Sequence, residues 1–181
     1  MPTPLLRQRM NVYCLPLQPG DAAVTSLALH PEGYIFGVTS GGKSAHLFVF
    51  DTIRSRAITV LADIRQAVGV NHSLVCDREG RLFFGTMPPC DSFERVMFPD
   101  GYPGGNLYRY SVSARTQEAE EGIGGTLFTP TPPGIADCGM PAPGEGIQCL
   151  LYCPQKHRVY GLTYPCARFF FYDVSAGVFH D

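Results

Sequence analysis

The chain has 181 residues with 14 basic and 16 acidic side chains, a formal charge of −2. This length suits one domain, and the thin, balanced charge gives no support for a phosphate-neutralising surface that binds nucleic acid. No apolar run approaches the ~20 residues that a transmembrane helix needs, so a transmembrane helix is excluded. The 20 glycines, 16 prolines, 12 Phe and 9 Tyr favour β-structure with many turns over helical bundles.

The N-terminus and the cysteines bear on the compartment. Residues 1–9 carry their charges after the short apolar stretch and lack a small-residue cleavage site, which is unlike a secretory signal. An odd number of cysteines is irregularly spaced, at Cys14, Cys76, Cys90, Cys138, Cys149, Cys153 and Cys166. Reduced thiols in a cytoplasmic protein and a partial disulfide set in a secreted one both remain open. The missing signal favours a cytoplasmic protein.

An internal repeat organises the chain. Three segments align without gaps on a threonine: residues 27–39, 74–86 and 151–163. Each combines a short apolar run, a four-residue polar turn and a second apolar run that ends at Thr39, Thr86 or Thr163. This pattern predicts three β-hairpins, with Gly33 and Gly80 at positive φ in the first two turns. We expect the threonines to satisfy backbone groups at the strand ends.

A third strand is predicted after each hairpin, at residues 46–51, 106–111 and 168–173. Two of these runs are apolar at consecutive positions, so both of their faces must be covered. A weaker fourth strand is expected near residues 56–61 and 115–120, whereas the last unit ends too soon for a full one. A short helix-like stretch, 61–68, lies between the first two units.

Four consecutive antiparallel strands that repeat are typical of propeller blades. A strand at residues 35–37 is followed by the pair Gly41 and Gly42 and by an aromatic strand, 47–51, that ends in Asp51. This order resembles kelch repeats. Quinoprotein-like blades are similar too. The resemblance covers residues 22–181 and implies an all-β fold of about three four-stranded antiparallel blades in one domain. The expected blades are residues 22–61, 70–121 and 146–181, and a meander sandwich or irregular barrel is the alternative.

Three blades cannot close a ring, because propellers usually contain 4 to 8. The ring is therefore expected to be incomplete unless the chain associates with itself or belongs to a longer propeller. Residues 10–17 are predicted to form a strand that completes a neighbouring blade. Two copies would form a six-bladed ring.

Two long insertions, residues 87–104 and 122–146, are predicted to lie on one face of the propeller. Long loops on one side of a rigid scaffold are typical of a binding surface, although insertions that are merely tolerated are the other interpretation. The polar or aromatic candidates on this face are His72, Asp91, Glu94, Arg95, Asp100, Tyr102, Asp137, Glu145 and Tyr164.

The first function hypothesis is a binding or assembly module that recognises a ligand or a protein partner. Its predicted binding residues are Asp91, Arg95, Tyr102, Asp137, Glu145 and Tyr164. The alternative is a lyase or hydrolase that acts on a saccharide-like substrate at the propeller funnel, which rests on fold analogy. It would use His72 as a base, with Asp91, Asp137 or Glu145 orienting it or holding a metal. No cofactor or metal motif is found, and neither nucleic acid nor a membrane is an expected partner.

Overall fold

A computed structural model describes residues 21–41, 45–50, 58–64, 69–88, 100–117 and 125–180. Twelve strands and no helix form within these residues, so none of them belongs to a helix that could cross a membrane. The predicted strand at residues 10–17 lies outside the described residues.

The strands form three antiparallel sheets of four strands, each in chain order. Sheet 1 contains β1 (Asp21–Leu29), β2 (Ile35–Gly41), β3 (Ala45–Phe50) and β4 (Ile58–Ile64). Sheet 2 contains β5 (Leu74–Cys76), β6 (Leu82–Gly85), β7 (Leu107–Gln117) and β8 (Gly125–Gly139). Sheet 3 contains β9 (Gly146–Cys153), β10 (Arg158–Tyr164), β11 (Phe169–Asp173) and β12 (Val178–His180). The all-β class is confirmed.

Several predicted boundaries in the fourth strands are wrong. Residues 115–117 extend β7, and the fourth strand of sheet 2 is β8, in the segment 122–146 that was predicted to be a loop. Residues 61–64 belong to β4 instead of a helix, and the short strand β12 completes sheet 3. The second unit therefore extends to residue 139 rather than 121.

The prolines of β8 explain why sequence analysis did not predict this strand. Proline lacks the N–H group that a central strand needs, and it is tolerated on edge strands and at bulges. β8 is one of the two edge strands of sheet 2. Its pairing with β7 shifts register between Pro130 and Ile135, so that Pro132 and Pro133 lie within the irregularity.

The repeated threonines occupy equivalent positions. The Oγ1 atom of Thr39 accepts a hydrogen bond from the backbone N–H of His46 at 2.9 Å. Thr86 accepts one in the same way from Asn106 at 3.0 Å. Thr163 accepts one from Arg168 at 3.1 Å. His46, Asn106 and Arg168 are the first residues of the predicted third strands, so each threonine joins its second strand to its third. The expected role of the threonines is confirmed.

The first two hairpin turns have glycine at positive φ as predicted, and the third turn has a histidine there. Gly33 has a φ of +90° and Gly80 one of +80°. His157 has the same place in the third repeat and adopts a φ of +53°, a conformation that costs more for a residue with a Cβ atom. The third turn thus places an imidazole where the other two place glycine.

The three sheets pack against one another through the two faces of sheet 2. One core joins Leu82, Phe84 and Tyr110 of sheet 2 to residues of sheet 1 that include Phe36 and Leu47. A second core joins sheet 2 to sheet 3 and contains Phe83, Leu107, Val159, Phe170 and Tyr172. Neighbouring residues on β6 thus belong to different cores, because successive side chains of a strand point to opposite faces.

We call the face of a sheet that packs on the preceding sheet its front face, and the face that packs on the following sheet its back face.

The sheets also meet at their first strands. The backbone N–H of Leu74 on β5 donates to Ser26 Oγ on β1 at 3.1 Å. The N–H of Leu150 on β9 donates to the carbonyl of His72, just before β5, at 3.4 Å. Strands β1, β5 and β9 therefore lie side by side.

Candidate functional site

An open groove runs along the three first strands. Its volume is about 660 Å³, and it is lined by Val24, Thr25, Ser26, Leu27, His72, Leu74 and Leu150. Four of these seven side chains are aliphatic, so the groove suits a ligand with a substantial apolar surface.

Two of the polar side chains in the groove hold the strands together. Thr25 Oγ1 donates a short hydrogen bond to the carbonyl of Val70. Ser26 Oγ accepts the N–H of Leu74. These hydroxyl groups are engaged in bonds between sheets 1 and 2, so they position the groove walls more than they offer free groups to a ligand.

His72 is the polar residue of the groove that is most accessible to a ligand. Its side chain is exposed, and within the described residues its imidazole makes no hydrogen bond. Its backbone adopts a φ of +43°, which is uncommon for a residue other than glycine, and its carbonyl is bonded to Leu150. An imidazole can donate or accept a hydrogen bond, so His72 can recognise a polar group on an otherwise apolar ligand.

Glu145 is placed elsewhere and has a structural role. Its side chain is buried, Oε2 accepts a short hydrogen bond from Thr163 Oγ1, and Oε1 pairs with Arg168 Nε at 2.7 Å. The hydrogen bond from Thr163, together with contacts to Cys166 and Arg168, lowers the pKa of this carboxyl group. Glu145 thereby ties the connection before β9 to the connection between β10 and β11.

The carboxylate of Asp137 and the two predicted tyrosines also lie outside the groove lining. Asp137 is exposed and accepts bonds from Asn106 Nδ2 and the N–H of Gly139, both at 2.7 Å. Tyr102 is half-buried, and burial raises its pKa to about 12. Tyr164 is half-buried and precedes a cis peptide bond.

Of the predicted site residues, the groove contains only His72. Asp100 is exposed outside it, and Asp91, Glu94 and Arg95 lie outside the described residues. Neither Asp137 nor Glu145 reaches the groove lining, so among the described residues no carboxylate orients His72 there. Sequence analysis missed the other six lining residues, Val24, Thr25, Ser26, Leu27, Leu74 and Leu150. All six lie in β1, β5 or β9, and this shared place in the first strands was the signal that could have found them.

A charged cluster joins the turns of sheets 2 and 3. Ligand atoms of Asp77, Glu79 and His157 lie within 4.8 Å of one another. Arg81 lies among them, with Nη2 at 3.0 Å from Glu79 Oε2 and 3.1 Å from His157 Nε2. A guanidinium already supplies the positive charge that a metal ion would bring. The cluster therefore acts as an electrostatic link between two sheets.

The turns of sheets 1 and 2 are in contact as well. The ring of His30 covers Gly80, where a Cβ atom would overlap Nε2 of the imidazole. Nδ1 of His30 accepts the N–H of Glu32 at 3.2 Å. The three hairpin turns thus lie next to one another at one end of the molecule.

This contact predicts a pH dependence of stability. Burial lowers the pKa of His30 below its usual 6.5, against smaller opposing effects of Glu32, Gly80 and Asp77. As the pH falls below about 6.5, the unfolded chain takes up a proton that the folded chain resists, so stability falls. Urea unfolding at pH 7.5, 6.5 and 5.5 measures this loss.

The matched control is His30→Asn, which keeps an acceptor for the N–H of Glu32. The variant should lose less stability than the wild-type chain between pH 7.5 and 5.5. Equal losses in the two proteins would contradict the burial of a neutral imidazole at this position.

Comparison of the chain with family models, curated proteins and solved structures finds no match in any of the three.

Proposed function

We propose that this chain is a β-propeller binding module that holds its ligand in the groove along β1, β5 and β9. The observation that carries the proposal is the groove itself, an open cavity of about 660 Å³ formed where the first strands of three repeated sheets meet. In a propeller the first strands of the blades surround the central axis, so this groove corresponds to part of a central channel.

Three features support the arrangement of the sheets as consecutive blades. Each sheet is a four-stranded meander in chain order. The middle sheet packs on the other two through opposite faces. The hairpin turns of neighbouring sheets meet at one end, through His30 over Gly80 and through Glu79 against His157 at 3.1 Å. A sandwich of two sheets would bury only one face of each sheet, whereas sheet 2 buries both.

The chemistry of the groove indicates the ligand class. Leu27, Leu74 and Leu150 provide an apolar wall, and the exposed imidazole of His72 provides a hydrogen-bonding group. We therefore propose an uncharged or weakly polar ligand with a flat apolar face and one polar substituent. Binding, not catalysis, is the function favoured, because no carboxylate among the described residues of the groove lining orients a base at His72.

A fragment experiment tests this proposal. Small aromatic fragments that carry one hydroxyl or amide group are screened by ligand-observed NMR against the wild-type chain and against His72→Arg. His72 is exposed in the groove, so arginine is accommodated there, but it fills the cavity, adds charge and removes the imidazole. We expect fragments that bind the wild-type chain to lose at least tenfold in affinity in the variant.

Gln155→Arg is the matched control, since Gln155 is exposed on the turn between β9 and β10, away from the groove lining. This variant should bind the fragments as the wild-type chain does. The proposal fails if no fragment binds, or if the fragments bind the wild-type chain and His72→Arg equally well.

A further inference from the structure

The stack of three sheets ends in two apolar faces that no described residue covers fully. At one end is the back face of sheet 3, where Leu151 is 67% and Phe169 58% exposed. At the other end is the front face of sheet 1, which is open along β1, where Leu27 is 59% and Leu29 70% exposed, and closed at β3, where Phe48 is 3% exposed. Large exposed apolar side chains that lie together on one face mark an interaction surface.

The back face of sheet 3 repeats a surface that is buried elsewhere in this molecule. In the threonine alignment, Tyr160 has the place of Phe36 and Phe83, which are both fully buried. The rings on this face already pack side by side, since the centroid of Tyr160 lies 5.7 Å from that of Phe169 and 5.8 Å from that of Phe171. The equivalent face of sheet 1 is covered by sheet 2, and that of sheet 2 by sheet 3.

The front face of sheet 1 repeats the complementary surface. Leu27, Gly37 and Phe48 are cross-strand partners in sheet 1, as Leu150, Gly161 and Phe170 are in sheet 3. In both rows a Cβ atom on the glycine would overlap the phenylalanine ring and approach the leucine to 2.9 Å. The row in sheet 3 packs on sheet 2. The row in sheet 1 has the same shape, and its exposed end at Leu27 is the part that can fit a back face.

We infer that the back face of sheet 3 binds the front face of sheet 1 in a second copy of this chain. This inference rests on the proposed blade arrangement. The same contact occurs twice in such a pair, once in each direction, so two chains close a ring of six sheets with twofold symmetry. Six lies within the usual range for propellers, and the contact continues the two sheet interfaces already present within the chain.

The charges at the turn end support this partner. Where sheets 2 and 3 meet, Glu79 of the sheet 2 turn contacts His157 of the sheet 3 turn at 3.1 Å. In the threonine alignment Lys156 is equivalent to Glu79, and Gly33 to His157. The new contact therefore brings exposed Lys156 of one copy beside Gly33 and exposed Glu32 of the other. Opposite charges at this point favour the head-to-tail pairing over pairing of two identical faces.

Closure also completes the candidate site. The groove is open, and in the part of the chain that the structure describes three first strands line it. The second copy adds its own β1 beside β9 of the first, so that six first strands surround the axis and two copies of the groove face a common channel.

The inference is tested by the mass of the wild-type chain in solution. It is measured at micromolar concentration by light scattering after size-exclusion chromatography. The expected mass is twice the 19.8 kDa of one chain. Phe169→Lys and Leu29→Lys each place a charge on one of the two faces, and each variant alone should shift to the monomer. Mixing the two variants restores one unmodified contact per pair, so dimers should reappear in the mixture. Asp100→Lys, on the exposed connection between β6 and β7 of the middle sheet, should remain dimeric.

Three outcomes overturn the inference. They are a monomeric wild-type chain, an assembly larger than two copies, and a dimer that Leu29→Lys leaves intact, which would mean that identical back faces pair. The fragment screen separates this inference from the proposed function. If the chain is a monomer that binds fragments in its groove, only the inferred dimer is wrong. If the chain is a dimer that binds no fragment, only the proposed ligand site is wrong.

Discussion

Replacing Phe84 with alanine is expected to lower the free energy of unfolding by about 3 to 5 kcal/mol. Phe84 is fully buried in the core between sheets 1 and 2, where its ring stacks on Tyr108 with centroids 5.5 Å apart. Truncation removes apolar contacts with both sheets and leaves a cavity. The paired strands on either side hold the backbone in place, so the cavity cannot close. Urea unfolding followed by circular dichroism measures the loss.

Phe83 provides the matched comparison, because it is adjacent on β6 and fully buried in the other core, next to Tyr172. Phe83→Ala should cost a similar amount, since sheet 2 is covered on both faces. Phe84→Leu keeps most of the buried volume and should cost less than about 1.5 kcal/mol. If either alanine variant lost less than about 1 kcal/mol, sheet 2 could not be packed on that side.

Asp77→Ala is expected to cost about 3 kcal/mol, because it removes a buried carboxylate that pairs with partly exposed Arg81 and accepts two backbone hydrogen bonds. The Asp77 side chain is fully buried and pairs with Arg81 Nε at 2.6 Å. Its Oδ1 atom also accepts the backbone N–H groups of Glu79 at 3.0 Å and Arg81 at 2.8 Å. Without the carboxylate, the turn loses both hydrogen bonds and Arg81 loses the group that directs it towards His157.

Asp77→Asn separates these contributions, since an amide oxygen can accept the two N–H bonds but carries no charge. It should retain more stability than Asp77→Ala, and its stability should depend less on salt than that of the wild-type chain. An asparagine variant as unstable as the alanine variant would contradict the assigned turn hydrogen bonds.

The hairpin repeat was predictable because its signals are local. A threonine at the end of one strand can reach the first N–H of the next strand whatever surrounds them. Gly33 and Gly80 mark turns because positive φ penalises other residues. The consecutive apolar positions at residues 47–50 indicated a strand covered on both faces, and sheet 1 has such a strand with buried Leu47, Phe48 and Val49.

The fourth strands were less predictable because an edge strand needs fewer of the features that identify a central one. β8 contains prolines in an irregular stretch, and β12 has only three residues. The role of Glu145 was also hidden. Its burial depends on Thr163 and Arg168, which are 18 and 23 positions further along the chain, so its place in a predicted loop suggested a binding residue.

The amino-acid sequence by itself determined the all-β class, the three hairpins and the equivalence of the three threonines, because spacing and turn chemistry act over a few residues. Only the tertiary structure decided which candidates meet. It placed His72 beside Leu27 and Leu150 in a groove, and it engaged Glu145 and Asp137 elsewhere. The reason is physical, since contacts between sheets depend on how two faces pack, and residues far apart in the chain become neighbours only when those faces come together.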